Sequence, residues 1–169
     1  IALQTLYALD VARLRGRAPE NVDEVFDQVV ASFEVPEAVR PFAAELVRGV
    51  GSREEEIDAL ISAHSRNWRT ERMAVVDRNL LRLATFELLA RLETPAPVVL
   101  DEAVELARRY CDDSSPAFIN GILDKIMNHH LPGCEAEEDA AESAESEEGD
   151  EEAAAPDAQP AEELQGEGP

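Results

Sequence analysis

Residues 1–131 predict an all-α fold organised around one buried central helix. Three observations carry that expectation. Apolar residues recur three and four positions apart through nearly every segment, the period of an amphipathic helix. No Val/Ile-rich alternating run bounded by hairpin turns occurs, so no strand is predicted. One segment, "AVVDRNLLRLATFELLARL", is apolar on more than one face, the pattern of a helix surrounded by others.

The elements follow in order. "IALQTLYALDVARL" places Leu3, Leu6, Tyr7, Val11 and Leu14 at helical spacing. "ENVDEVFDQVVASF" repeats the pattern, with Asn21 as N-cap and Glu24 three residues on, as in a capping box. Pro36 opens a third helix with Val39, Phe42, Leu46, Val47 and Val50 on one side, and Gly49 and Gly51 are expected to stop it. Ser52 is expected to cap "REEEIDALISAHS", whose three glutamates suit the positive end of the helix dipole.

The central segment's few polar positions stand out. Asp77, Arg78 and Arg82 lie in its N-terminal half, and Arg78 and Arg82 share a face at i, i+4. Two readings fit: a solvated face with Asp77 near the helix start, or a contact patch. Pro95 and Pro97 then break the chain before a helix carrying Val99, Ala103, Leu106, Ala107 and Tyr110 inside. In the last segment, "SSPAFINGILDKI", Ser114 or Ser115 can cap and Pro116 suits the first turn. Phe118, Ile119, Ile122, Leu123, Ile126 and Met127 form its apolar stripe, and Phe118 is expected to support the fold. Gly121 costs helix stability, a cost expected to be offset by close approach of another helix.

Charge divides the chain. Of 37 acidic residues, 22 lie in residues 1–131 with all 15 bases, for a net of −7 there. Residues 132–169 carry the other 15 acids and no base, so an anionic partner must meet residues 1–131. The tail has one Leu and no aromatic, too little apolar surface to offset ordering entropy, and is expected to stay mobile. A solubilising appendage is the simpler reading of it; a nucleic-acid mimic folding back on a basic patch is the other.

Cys111 and Cys134 make no disulfide framework, no secretory signal is visible and no apolar run approaches membrane-spanning length. A cytoplasmic location without membrane contact is therefore expected. His129 and His130 are adjacent, His64 is alone, and no zinc spacing, phosphate loop or nucleophile elbow occurs. No catalytic residue, metal or cofactor is expected; a binding module is.

Several ordered blocks carry a resemblance. "ALQTLYALD", Trp68, Arg72, "VDRNLLRLATFEL", "PAPVVLDEAVELARRY" and "SSPAFINGILDKI" are similar, in order and spacing, to the NusB family of bacterial transcription antitermination factors. The resemblance implies two perpendicular three-helix units and no enzymatic activity. It implies pairing with the NusE-type small-subunit ribosomal protein, recognition of boxA RNA in nascent ribosomal RNA leaders, and service to the RNA polymerase antitermination complex. Asp77, Arg78 and Arg82 then become the candidate protein-partner surface. Gln4, Tyr7, Ser114, Ser115 and Phe118 become candidates for the RNA face.

Two features depart from the family pattern. Family members usually place an Arg-rich segment just before the first helix, whereas this sequence starts at Ile1; weak RNA binding by these residues alone is expected. The acid that family members carry before the Ser of the last helix is displaced here to Asp113, with Ser114 in its place. The alternatives are a related module of a ribosomal RNA methyltransferase system and a protein-only helical scaffold.

Overall fold

The computed structural model describes residues 1–17, 21–65, 70–90 and 94–130. The chain divides into two units, Ile1–Glu135 and Ala136–Pro169, and every described residue belongs to the first. The expectations for the acidic tail, Cys134 and Trp68 fall outside the described residues.

Among the described residues there are seven α-helices and no strand. They are α1 (Ala2–Leu14), α2 (Val22–Ser32), α3 (Arg40–Ser52), α4 (Glu54–His64), α5 (Val75–Ala90), α6 (Ala96–Tyr110) and α7 (Ser115–His130). Short 3-10 turns, Glu37–Val39 and Thr70–Arg72, precede α3 and α5. Helix α5 packs against α1, α3, α4, α6 and α7. The all-α expectation around a central helix therefore holds: Leu80, Leu81, Leu83, Ala84, Phe86 and Leu88 are all buried.

Local chemistry explains most boundaries. The Asn21 side chain accepts the Asp23 N–H at 2.9 Å, capping α2. Pro95, with extended backbone, stands before α6. Two boundaries differ from expectation. Helix α3 runs through Gly49 and Gly51 to Ser52, because the helix's buried face continues to Val50. Ser52 caps nothing in α4; its hydroxyl turns back to the Gly49 carbonyl at 3.0 Å, and Arg53 occupies the N-cap.

The glycines also exchange roles. A Cβ on Gly49 would overlap the tip of the Phe86 ring, so the ring of α5 packs directly on the α3 backbone there. Gly121 was expected to make such a contact and does not: nothing lies within 4 Å of where its Cβ would be. The reason is angular. Ile119, Ile122, Leu123 and Ile126 form the buried face of α7, and Gly121 lies opposite it, exposed beside Asn120. Phe118 sits at the flank, half-buried against the core.

Candidate partner and RNA interface

The N-terminal turns of α5 point chemistry in two directions. On one side Arg78, Asn79 and Arg82 reach inward to Asp10 of α1, a buried carboxylate. Arg78 Nη2 donates to Asp10 Oδ2 at 2.8 Å, Asn79 Nδ2 to the same oxygen at 3.1 Å, and Arg82 Nη1 stands 3.4 Å away. Arg82 also forks onto Asp58 of α4, with both bonds at 2.7 Å, and reaches Glu54 at 3.1 Å. Arg13 closes the network on Glu54. Burial pushes the Asp10 carboxyl up, but the hydrogen bond and charge of Arg78, with Arg82 and Asn79, outweigh it and hold the carboxyl below its usual range. Burial lowers the Arg82 guanidinium, and Asp58, Glu54 and Asp10 reverse that too.

Arg78 and Arg82 are thus corrected in one respect. They were expected on a solvated or contact face, but Arg82 is 6% exposed and its donors are engaged internally. They tie α1 and α4 to α5. Asp10 is the residue that sequence reasoning missed. Its signal is a single acid beside Leu6 and Leu9, within the stretch expected to be apolar, matched by two arginines one turn apart in the central helix.

The other side of α5 presents Asp77, which is half-buried. Ser115 Oγ donates to Asp77 Oδ2 at 3.0 Å. The Cys111 thiol stands at the C-cap of α6, within electrostatic reach of this carboxylate. Burial first, then Asp77 and Asp112, push that thiol up to about 12, so it stays protonated. Asp77 enters none of the ion pairs found among the described residues.

The RNA-face candidates fall into two groups. Gln4 and Tyr7 line a groove of about 630 Å³ whose walls come from α1, α2, α3, α5 and α6. Tyr7, expected to prefer the interior, is 46% exposed; Phe33 and Tyr110 are also half-exposed at its rim, beside Glu87 and Glu102. Ser114, Ser115 and Phe118 lie instead at the start of α7. Ser114 is exposed, Phe118 half-buried and Ser115 only 4% exposed. Ser115 was expected to face RNA, but its single hydroxyl proton goes to Asp77.

The histidines come together in a way the sequence did not suggest. The His64 ring lies 5.5 Å from His129 and 5.3 Å from His130, centroid to centroid. Among the described residues, no three His, Cys, Asp or Glu side chains form a group able to hold a metal ion. No helix there is long and apolar enough to cross a membrane.

Comparison with known proteins fits these arrangements to one family. The family model described as "NusB family" matches residues 1–128. The transcription antitermination protein NusB of Anaeromyxobacter dehalogenans is 48% identical over 128 residues, covering 75% of this chain and 85% of the relative. That of Desulfotalea psychrophila is 42% identical over 125 residues, covering 74% and 89%. Among solved structures, Thermotoga maritima NusB superposes with a TM-score of 0.69 at 34% identity, covering 78% of this chain and 88% of that one. A chain from a crystal structure of antitermination factors NusB and NusE in complex with dsRNA gives 0.65 at 32% identity, covering 75% and 90%. A family match spanning the helical body, with the same all-α fold at over 30% identity, makes this chain a member of the NusB family.

Proposed function

We propose that this chain is a transcription antitermination factor that binds boxA RNA together with a NusE-type ribosomal protein and supports ribosomal RNA transcription. The observation that carries the reading is its likeness, over 75% of its length, to a chain from a complex of NusB, NusE and RNA. It acts in the cytoplasm by binding and catalyses nothing itself.

We assign the protein contact to the Asp77 side of α5. An oriented carboxylate that enters no ion pair among the described residues suits a basic partner. Arg78 and Arg82 support that surface from within. RNA is assigned to the exposed start of α7 around Ser114, with Gln4 and Tyr7 as the second candidate contact. Residues 1–131 are taken as the binding body and 132–169 as an appendage, which limited proteolysis tests: trimming of the tail with sparing of the body supports the division, and a protected tail opposes it.

Titration calorimetry of residues 1–169 with the ribosomal protein, with and without boxA RNA, tests the function directly. Asp77→Lys should weaken the protein pair by about 1 kcal/mol or more through charge reversal. Unchanged affinity, with the helical signal intact by circular dichroism, removes Asp77 from the contact. RNA affinity should fall steeply with salt, because phosphate neutralisation releases counterions, and should rise when residues 132–169 are removed.

A further inference from the structure

We propose that Ser115 is a positioning residue for the partner interface: its buried hydroxyl holds the Asp77 carboxylate in the orientation that receives a cation of the basic protein partner. The inference rests on the reading of Asp77 as a partner contact. It goes further by making Ser115, too buried to touch a partner itself, part of that contact.

The geometry is closed. Ser115 is the first residue of α7, and its backbone N–H donates to the Asp112 carbonyl at 2.9 Å, which fixes the corner. Its Oγ lies 3.0 Å from Asp77 Oδ2 and is shielded from solvent, with the residue 4% exposed. A hydroxyl owns one proton. With that proton given to Asp77, Ser115 cannot also donate to a phosphate, so a role through Asp77 replaces direct RNA contact.

The chemistry of the donor matters. The Ser115 hydroxyl is neutral, so it orients the carboxylate without cancelling its charge. The neighbouring cation is unavailable: Arg78, next along α5, is turned away to Asp10 and the Thr70 carbonyl. Asp77 is therefore held from behind and left with its negative charge. An aspartate fixed this way loses less side-chain freedom on meeting a Lys or Arg than a free one, which is where preorganisation adds affinity.

The test uses the full chain and a purified NusE-type small-subunit ribosomal protein, with binding followed by titration calorimetry. Ser115→Ala should lower affinity about three- to tenfold, the scale of one side chain's ordering cost. In an Asp77→Ala background the same change should cost nothing further, a non-additivity that general loosening of the corner does not produce. Ser115→Thr, which keeps the hydroxyl, should restore most of the affinity. Where Ser115→Ala fails to fold, Ser115→Cys, which keeps a weaker donor, should show a smaller loss with the same dependence on Asp77. The charge at Asp77 has a readout that needs no partner. In a Cys134→Ser background, Asp77→Asn should speed Cys111 modification by a thiol reagent, because the charge that keeps the thiol protonated is gone. If Asp77→Ala weakens binding and Ser115→Ala, folded, does not, the positioning role is wrong while the Asp77 reading stands. If Asp77→Ala has no effect, the contact assignment fails and takes the positioning role with it. Additive losses in the double variant also overturn the proposal.

Discussion

Gly49 and Gly121 sit inside helices of the same small domain and do opposite things. At Gly49 the space of a side chain is filled by the Phe86 ring, and the missing Cβ lets α3 lie against α5. At Gly121 that space is open among the described residues, and the position faces away from the core. The same division runs through the polar residues. Toward α1 and α4, Arg78 and Arg82 are consumed by Asp10, Asp58 and Glu54. Around the start of α7, Ser114 and Asn120 remain exposed. The interior of the α5 crossing spends its chemistry on the fold, and the outer face of α7 keeps its chemistry for something else.

Breaking the interior side should cost most. Asp10→Asn keeps the shape but removes the charge that Arg78 and Arg82 share. Arg82 retains Asp58 and Glu54, while Arg78 is left with the Thr70 carbonyl. Loss of one member of a buried ion pair costs ~3–5 kcal/mol, and the retained partners place this variant near ~3. Urea unfolding at neutral pH measures it; a change below ~1 kcal/mol would make the network ornamental. Acid sharpens the same point. Because the folded Asp10 carboxyl is held below its ordinary value, its contribution is present above the unfolded value, about 3.9, and is lost as pH falls through the lower folded value. The stability gap between the natural chain and Asp10→Asn should therefore hold at pH 6 and close below about pH 4. A gap that persists unchanged into strong acid would mean the charge is not its source.

Next comes the crossing itself. Gly49→Ala forces a methyl into the Phe86 ring tip, and that ring is 7% exposed within the core, with no open side to swing into. Overpacking of this kind costs ~1–3 kcal/mol. Adding Phe86→Leu, which shortens the intruding side chain, should recover part of the loss. A Gly49→Ala variant as stable as the parent would show that the Phe86 ring does not pack tightly on the α3 backbone.

How much of this was legible in the sequence follows the same line. Periodicity placed the helices and picked out α5, because burial on several sides writes itself as apolar residues on several faces. Periodicity also put the Gly121 position off the centre of its stripe, but the meaning assigned to it required knowing which helix lay opposite. The distinction between Gly49 and Gly121 depends on a contact between α3 and α5 that lies 37 residues apart in sequence. Likewise, two arginines spaced i, i+4 look alike whether they meet water or a buried aspartate; Asp10 is 68 positions from Arg78. Ser115 was legible as a helix start but not as a donor to Asp77, since the α6–α7 corner exists only once both helices pack on α5. Local signals encode what a residue prefers, whereas these roles are set by long-range partners.

The smallest expected effect lies on the outer side. With open space where its Cβ would be, Gly121→Ala introduces no clash, and it removes backbone freedom from the unfolded chain while improving helix propensity. The gain should be ~0.5–1 kcal/mol, a rise of a few degrees in Tm for a domain of this size. Differential scanning calorimetry measures it, and Ala at Asn120, equally exposed, serves as the control that changes propensity less. If Gly121→Ala melts lower, an internal neighbour must press on α7 and the contrast with Gly49 collapses. If it melts higher, as expected, the glycine's helix cost is not offset within the described chain. That outcome directs the explanation outward, to what meets α7, and the same variant should then be titrated with the ribosomal protein and with boxA RNA. A more stable protein that binds one of them less well would identify which partner approaches the backbone at Gly121.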